Sequence, residues 1–293
     1  MGDRGLRDVP LLYTRRRTIT STLTTQGGDT MRANRLRQLL NEGKPTIGTH
    51  IICPWPGMFE IVCAQGSFDY IEYVGEYSSW SLPQLEDVGR AIDLFPHMSS
   101  MMKVEEPSRA FIATRSLDAG IQNVLFTDIR TADDARECVR IVRAETPEDG
   151  GTHGAGMRRA IGYVYGDQKE WVKAMRETVI ALMIEKKGAM ENLEEILAVP
   201  GIDMVQFGPT DYSISVGLAG EGRGEKVQGA HKRMIETAIK MGVRPRVEIG
   251  SFEQAKPFID MGVKDFCIGW DISIVAEWCR KQKAGLAELF PGR

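Results

Sequence analysis

The stretch VIALMIEKKGAMENLEEILAVPGIDMVQFGPTDYS, residues 179–213, decides the fold. An unbroken apolar run, Val179–Ile184, stops at Glu185, and an amphipathic helical pattern follows over Ala189–Leu197. A second apolar run, Met204–Phe207, then stops at Gly208-Pro209-Thr210-Asp211. Short runs without polar alternation mark strands buried on both faces, which are parallel strands covered by helices. The segment therefore reads as one strand–helix–strand unit.

The same unit recurs in both directions along the chain. Strands are predicted at Thr46–Ile52, Asp69–Val74, His97–Val104, Asn123–Phe126, Val179–Ile184, Met204–Phe207, Arg246–Ile249 and Asp265–Ile268. After an opening helix at Met31–Asn41, helical patterns separate them at Pro56–Ala64, Leu82–Leu94, Ser108–Ala119, Thr131–Ala144, Ala189–Leu197, Glu225–Met241, Phe252–Met261 and Ile272–Leu289. Ser81 followed by Pro83 is a helix start, and Gly120, Gly242 and Gly262 sit where left-handed helix caps fall. Eight strand–helix units of about 30 residues each predict an α/β fold of the (β/α)8 barrel type rather than a doubly wound sheet. One barrel domain spans 31–293. Residues 1–30, with Arg15-Arg16-Arg17 and a threonine-rich run, read as a flexible tail. The segment Thr146–Asp167 lacks periodicity and reads as a lid or subunit contact.

Composition narrows the function. The 293 residues carry 37 Lys plus Arg against 40 Asp plus Glu, a net charge of −3, with 42% hydrophobic and 26% charged residues. That is an ordinary globular balance without a basic patch for nucleic acid or an anionic membrane. Five cysteines, with no CxxC pair, fit buried thiols in a reducing compartment, and no apolar run reaches bilayer length. The expectation is a cytoplasmic protein with neither nucleic-acid nor membrane partners.

In a barrel the chemistry lies at the C-terminal ends of the strands. The polar residues there are His50, Glu72, Glu76 with Tyr77, Lys103, Asp128, Glu185, Asp211, Glu248 and Asp271. Glu185 and Asp211, at the mouths of adjacent strands, are suited to sharing one hard divalent cation, or else to solvation and helix capping. The slim turn Gly208-Pro209-Thr210 brings backbone N–H groups within reach of a ligand.

Five collinear stretches add to this reading. They are Lys44-Pro45-Thr46-Ile47-Gly48, Gly75-Glu76, Ala132–Glu137, Ile184–Met190 and Phe207–Ser213. Together, from about Met31 to Leu289, the chain resembles the HpcH/HpaI family of metal-dependent (class II) 2-keto acid aldolases. The resemblance implies a pyruvate-binding barrel in which Glu185 and Asp211 ligate Mg²⁺, with Mn²⁺ or Co²⁺ as alternatives. It also implies that the Thr210 and Asp211 N–H groups hold the substrate carboxylate, that carbon–carbon cleavage passes through a metal-bound pyruvate enolate, and that the chain forms a homo-oligomer, a hexamer with the last helix exchanged. The family glutamate position is Glu76.

The chain departs from the family pattern at several points. Val74-Gly75-Glu76-Tyr77 stands where the family has Asp-Gly-Glu-His, so the usual histidine base and its aspartate are absent, and Tyr77 is a poor base at neutral pH. Lys103 replaces an arginine. His50, Glu72 and Glu248 bring polar groups to positions the family keeps apolar, aromatic or otherwise. The acid/base role is therefore expected to have moved, with His50 the first candidate and Glu248 the second, and Glu72 and Glu76 are expected near substrate. Asp118 resembles the family's interface aspartate, but without its histidine partner. The function expected is a metal-dependent lyase on a 2-keto acid, an aldolase or an oxaloacetate decarboxylase. The alternatives are a Schiff-base lyase using Lys103, and a family member reduced to ligand binding.

Overall fold

The computed structural model describes residues 32–156, 159, 163, 166–290 and 292. The tail expected over 1–30 lies outside them, as do Arg158 and several of its neighbours in the expected lid.

Eight parallel strands close on themselves in chain order. They are β1 (Thr46–Ile51), β2 (Tyr70–Val74), β3 (Ser99–Val104), β4 (Asn123–Phe126), β5 (Ile180–Ile184), β6 (Met204–Phe207), β7 (Arg244–Ile249) and β8 (Asp265–Trp270). β1 pairs with both β2 and β8, and a register shift between Gly48 and His50 lies at that closure. The fold is a (β/α)8 barrel, and each strand lies within two residues of the run that foretold it.

The helices are α1 (Arg35–Asn41), α2 (Pro56–Gln65), α3 (Leu82–Asp93), α4 (Arg109–Ala119), α5 (Ala132–Val142), α6 (Gln168–Glu177), α7 (Lys187–Glu191), α8 (Leu193–Leu197), α9 (Pro209–Ser215), α10 (Glu225–Met241), α11 (Lys256–Asp260) and α12 (Asp271–Leu289). Capping boxes at Ser81 and Thr131 start α3 and α5. The pattern read as one helix over Ala189–Leu197 is divided at Asn192, which both ends α7 and begins α8. α6 and α9 were not anticipated.

Side chains on the strands alternate between two environments. Outward residues meet the helices in one large apolar cluster that includes Ile71, Tyr73, Val124, Phe126, Leu182 and Val205. Inward residues form layers. The lowest layer is apolar: Tyr70, Met101, Leu125, Ala181, Met183 and Met204, with Leu36 of α1 against them. A Cβ at Gly48 would come within 2.3 Å of the Tyr70 ring, so glycine there is what lets the tyrosine fill the barrel. Further along the same faces stand Glu72, level with Met101 in the β2–β3 register, and Lys103, Glu185, Arg246 and Glu248. α12 differs from the other long helices: none of its residues is buried, and Ile274, Val275, Trp278 and Leu289 lie exposed. Among the described helices, none is long and apolar enough to cross a membrane.

Candidate active site

A cavity of about 310 Å³ opens at the C-terminal end of the barrel. Tyr77, Lys103, Glu185, Gly208, Pro209, Thr210, Asp211 and Glu248 line it, along with Met183, Phe207, His231 and Trp270. Eight of the expected site residues are thus brought to one space from five strand ends.

Glu185 projects from the end of β5 and is almost fully buried. Burial pushes its carboxyl up to about 7, with nearby Asp211 adding to this and the Asp128 N–H and Lys103 opposing it. Asp128 donates that N–H to Glu185 Oε1 at 2.9 Å. Gly208 lies so close that a Cβ would sit 2.6 Å from Glu185 Oε2. Only glycine allows the β6 turn to pass the carboxylate at this distance. α9 begins immediately after it. Tyr212 makes the first bond back into the turn, to the Gly208 carbonyl, so the Thr210 and Asp211 N–H groups precede the helical ladder. Asp211 is about two-fifths exposed, with Lys186 Nζ 3.5 Å away. Two carboxylates from neighbouring strands, one in a desolvated position and one open to the cavity, form an oxygen donor set that fits a hard divalent cation.

Lys103 Nζ makes a 2.8 Å ion pair with Glu76 and lies 4.8 Å from the centre of the Tyr77 ring. Burial opposes its charge, but Glu76 and Glu72 outweigh that and hold the ammonium above the ordinary lysine range. Burial likewise pushes the Tyr77 phenol up to about 12, even beside Lys103. Tyr77 stacks on Trp270, with ring centres 6.4 Å apart, and the Trp270 indole N–H donates to Glu248 Oε1. Gln206 donates to the other Glu248 oxygen at 3.1 Å.

His50 and Glu72 do not line the cavity. Both are fully buried beneath it, side by side across the β1–β2 register. Glu72, expected at the substrate, is instead ion-paired with Arg246, itself inaccessible to solvent. Burial disfavours the Glu72 carboxylate, yet Arg246, His50 and Lys103 together hold it ionised, below its ordinary value. His50 donates from Nδ1 to the Gly269 carbonyl at 3.1 Å, which turns Nε2 toward Glu72 Oε1 at 3.5 Å and Glu248 Oε2 at 3.8 Å. Burial would lower its pKa, but Cys267, Glu72 and Glu248 push it up to about 9. His50 thus meets the cavity lining through Glu248 and through the Trp270 ring, whose centre is 4.9 Å away.

The His50, Glu72 and Cys267 ligand atoms also fall within 4.8 Å of one another. The Arg246 guanidinium already neutralises Glu72 there and stands 3.4 Å from His50 Nε2, so a metal ion at that point would face a buried cation. Glu185 and Asp211, by contrast, open onto the cavity.

Sequence reasoning missed Arg246, Trp270 and Lys186, and it placed Asp128 among the strand-end polar residues without giving it a role. Arg246 had a signal: an arginine opening an otherwise apolar strand run, two residues before Glu248 and hence on the same face. Asp118 proves to have a histidine beside it after all, with His153 Nε2 at 3.6 Å.

Comparison with known proteins agrees with the barrel fold. The family profile described as HpcH/HpaI aldolase/citrate lyase matches residues 84–268. A hydroxypyruvate/pyruvate aldolase from Paraburkholderia phytofirmans is 28% identical over 245 residues, 82% of this chain and 92% of that protein. A 4-hydroxy-2-oxo-heptane-1,7-dioate aldolase from Escherichia coli is 28% identical over 246 residues, covering 83% and 91%. The crystal structure of an HpcH/HpaI aldolase/citrate lyase family protein from Burkholderia cenocepacia J2315 superposes with a TM-score of 0.77 at 26% identity, covering 87% of this chain and 99% of that one.

Proposed function

The chain belongs to the HpcH/HpaI aldolase/citrate lyase family and is a carbon–carbon lyase of keto acids, and from that premise we propose that it cleaves a 2-keto acid with a divalent cation, Mg²⁺ first among the candidates, held by Glu185 and Asp211. The observation that carries this reading is the pairing of those two carboxylates around one cavity that also receives Lys103 and Glu248. The bound cation would supply Lewis-acid stabilisation of the negative charge that develops on the keto oxygen as the bond breaks.

The protein's own groups do the rest. The Thr210 and Asp211 N–H groups hold the substrate carboxylate in the turn that Gly208 keeps narrow. Lys103, kept charged by Glu76, adds a fixed positive group facing the same developing oxygen charge. Glu248 takes the hydroxyl proton in aldol cleavage, oriented by Trp270 and Gln206, with His50 behind it as the next proton-bearing group. Tyr77, whose phenol stays protonated, packs Trp270 in place and narrows the mouth. Glu72 supports the site from beneath through Arg246 and His50.

Decarboxylation of oxaloacetate needs no hydroxyl proton to be removed, so it is expected to depend less on Glu248 than aldol cleavage does. The relatives named for hydroxypyruvate/pyruvate and for a 4-hydroxy-2-oxo dioate support an oxo acid as substrate. A Schiff base on Lys103 is disfavoured because a lysine paired at 2.8 Å with a carboxylate stays protonated and is no nucleophile. A protein reduced to ligand binding would not need charged groups so closely fixed around the cavity.

The exposed apolar residues of α12 are expected to pack against a second copy of the chain, as in a homo-oligomer. All five thiols are free, which suits a cytoplasmic enzyme.

The test is pyruvate release by Glu185→Gln and Asp211→Asn. Each is expected to lose at least about 100-fold in metal-supported rate while keeping its fold. Full activity in either would refute the assignment.

A further inference from the structure

Lys186, which follows the first candidate ligand in sequence, takes no part in the mechanism above. Its ammonium nevertheless lies 2.7 Å from Asp128 Oδ1 and 3.5 Å from Asp211 Oδ1, with the side chain about one-fifth exposed. Asp128 is tied to both halves of the metal site. Its backbone N–H binds Glu185, and its carboxylate binds the lysine that reaches Asp211. Asp128 is also one of two described non-glycine residues with positive φ, at 59°. Such a conformation costs energy, and the Asp128 carbonyl is anchored by Arg130 Nη1 at 2.8 Å. The chain holds this aspartate in an unfavourable backbone geometry that serves both contacts.

Two carboxylates, Asp128 and Asp211, therefore flank one ammonium group beside Glu185. We propose that Lys186 is a resident counter-ion of the metal site: it balances Asp211 when no divalent ion is bound and must give up that contact when one binds, which sets the metal affinity low and makes loading reversible. The inference rests on the reading of Glu185 and Asp211 as ligands and adds a residue that opposes them. The physical cause is direct. An ion ligated by the Asp211 oxygen would have the lysine ammonium for a close neighbour in a partly desolvated place, where like charges repel far more than in water. Asp128 keeps the displaced ammonium nearby, so it is not simply lost to solvent.

The test uses the full chain and Mn²⁺ alone, with free Mn²⁺ followed by electron paramagnetic resonance and heat by titration calorimetry. Lys186→Met is expected to bind Mn²⁺ at least about tenfold more tightly than the wild type, and Lys186→Gln, which keeps a hydrogen-bonding end without the charge, to follow it. Asp128→Asn should weaken binding, because it removes negative charge and leaves the lysine free to close on Asp211. Glu185→Gln serves as the reference for the site itself. If Glu185→Gln abolishes binding while neither Lys186 variant tightens it, the counter-ion role is overturned and the ligand assignment stands. If Glu185→Gln binds as the wild type does, the metal lies elsewhere and both are overturned. Circular dichroism confirms the fold of each variant, and the Gln variant decides the matter if the Met variant does not fold.

Discussion

Replacing Arg246 with methionine removes the one guanidinium at the centre of the barrel while nearly filling its volume. Arg246 and Glu72 are both completely buried and ion-paired, and Glu72 Oε1 has only His50, at 3.5 Å. The arginine also packs over the Tyr70 ring, 5.5 Å from its centre, and meets Met101 Sδ at 3.3 Å. Removing one partner of a buried pair leaves an uncompensated charge, which costs about 3–5 kcal/mol. For a barrel of this size that corresponds to a fall in Tm of about 10 °C. Replacing both partners, Arg246→Met with Glu72→Gln, removes the stranded charge, so the double variant should recover most of the loss, with a coupling of about 2–3 kcal/mol. The single variant should regain stability as pH falls, because Glu72 can then take up a proton. Urea unfolding of the four proteins measures all of this. A cost below about 1 kcal/mol for Arg246→Met, or additive effects of the two changes, would refute the claim that this pair is a mutually dependent buried charge.

Three further outcomes follow from the site. Glu248→Gln should slow aldol cleavage by about 100-fold while oxaloacetate decarboxylation falls only a few-fold, read as kcat on both substrates; an equal loss in both would remove Glu248 from hydroxyl proton transfer. Burial holds the His231 imidazole neutral, with its pKa lowered to about 4, between the rings of Phe207 and Phe258. The unfolded chain binds that proton near pH 6.5, so the wild type should lose up to about 3 kcal/mol as pH falls from about 6.5 to 4, and His231→Phe should lose less over that window in denaturant titrations. Gly208→Ala places a methyl 2.6 Å from Glu185 Oε2, so it should cut activity at least about tenfold while costing only about 1–3 kcal/mol of stability, as followed by rate and by thermal unfolding.

Most of the barrel is legible in the sequence because a strand buried on both faces leaves an apolar run, and eight such runs with helical patterns between them admit few other folds. Strand ends also announce Glu185, Asp211, Lys103 and Glu248, since a charged residue that ends such a run points into or over the barrel. Depth is what the linear pattern does not carry. His50 and Glu72 share an inward face with cavity residues, but the stagger of the closed barrel sets them one layer lower, against Arg246, whose distance in sequence from Glu72 hides the pair. α6 was missed because only Trp171, Val172 and Met175 stand out among its charged residues. Asp128 could be placed at a strand end but not given a role, because that role depends on a left-handed backbone conformation.

The proposed function rests on Glu185 and Asp211 holding a divalent ion that this lyase uses on a 2-keto acid. The most direct measurement is pyruvate release from oxaloacetate and from a set of 4-hydroxy-2-keto acids, by protein stripped with EDTA and then supplied with Mg²⁺ or Mn²⁺. Release from the stripped protein should be negligible, and adding metal should restore it at least about 100-fold. Release that is undiminished by EDTA, or trapping of pyruvate on Lys103 by borohydride, would contradict that proposal.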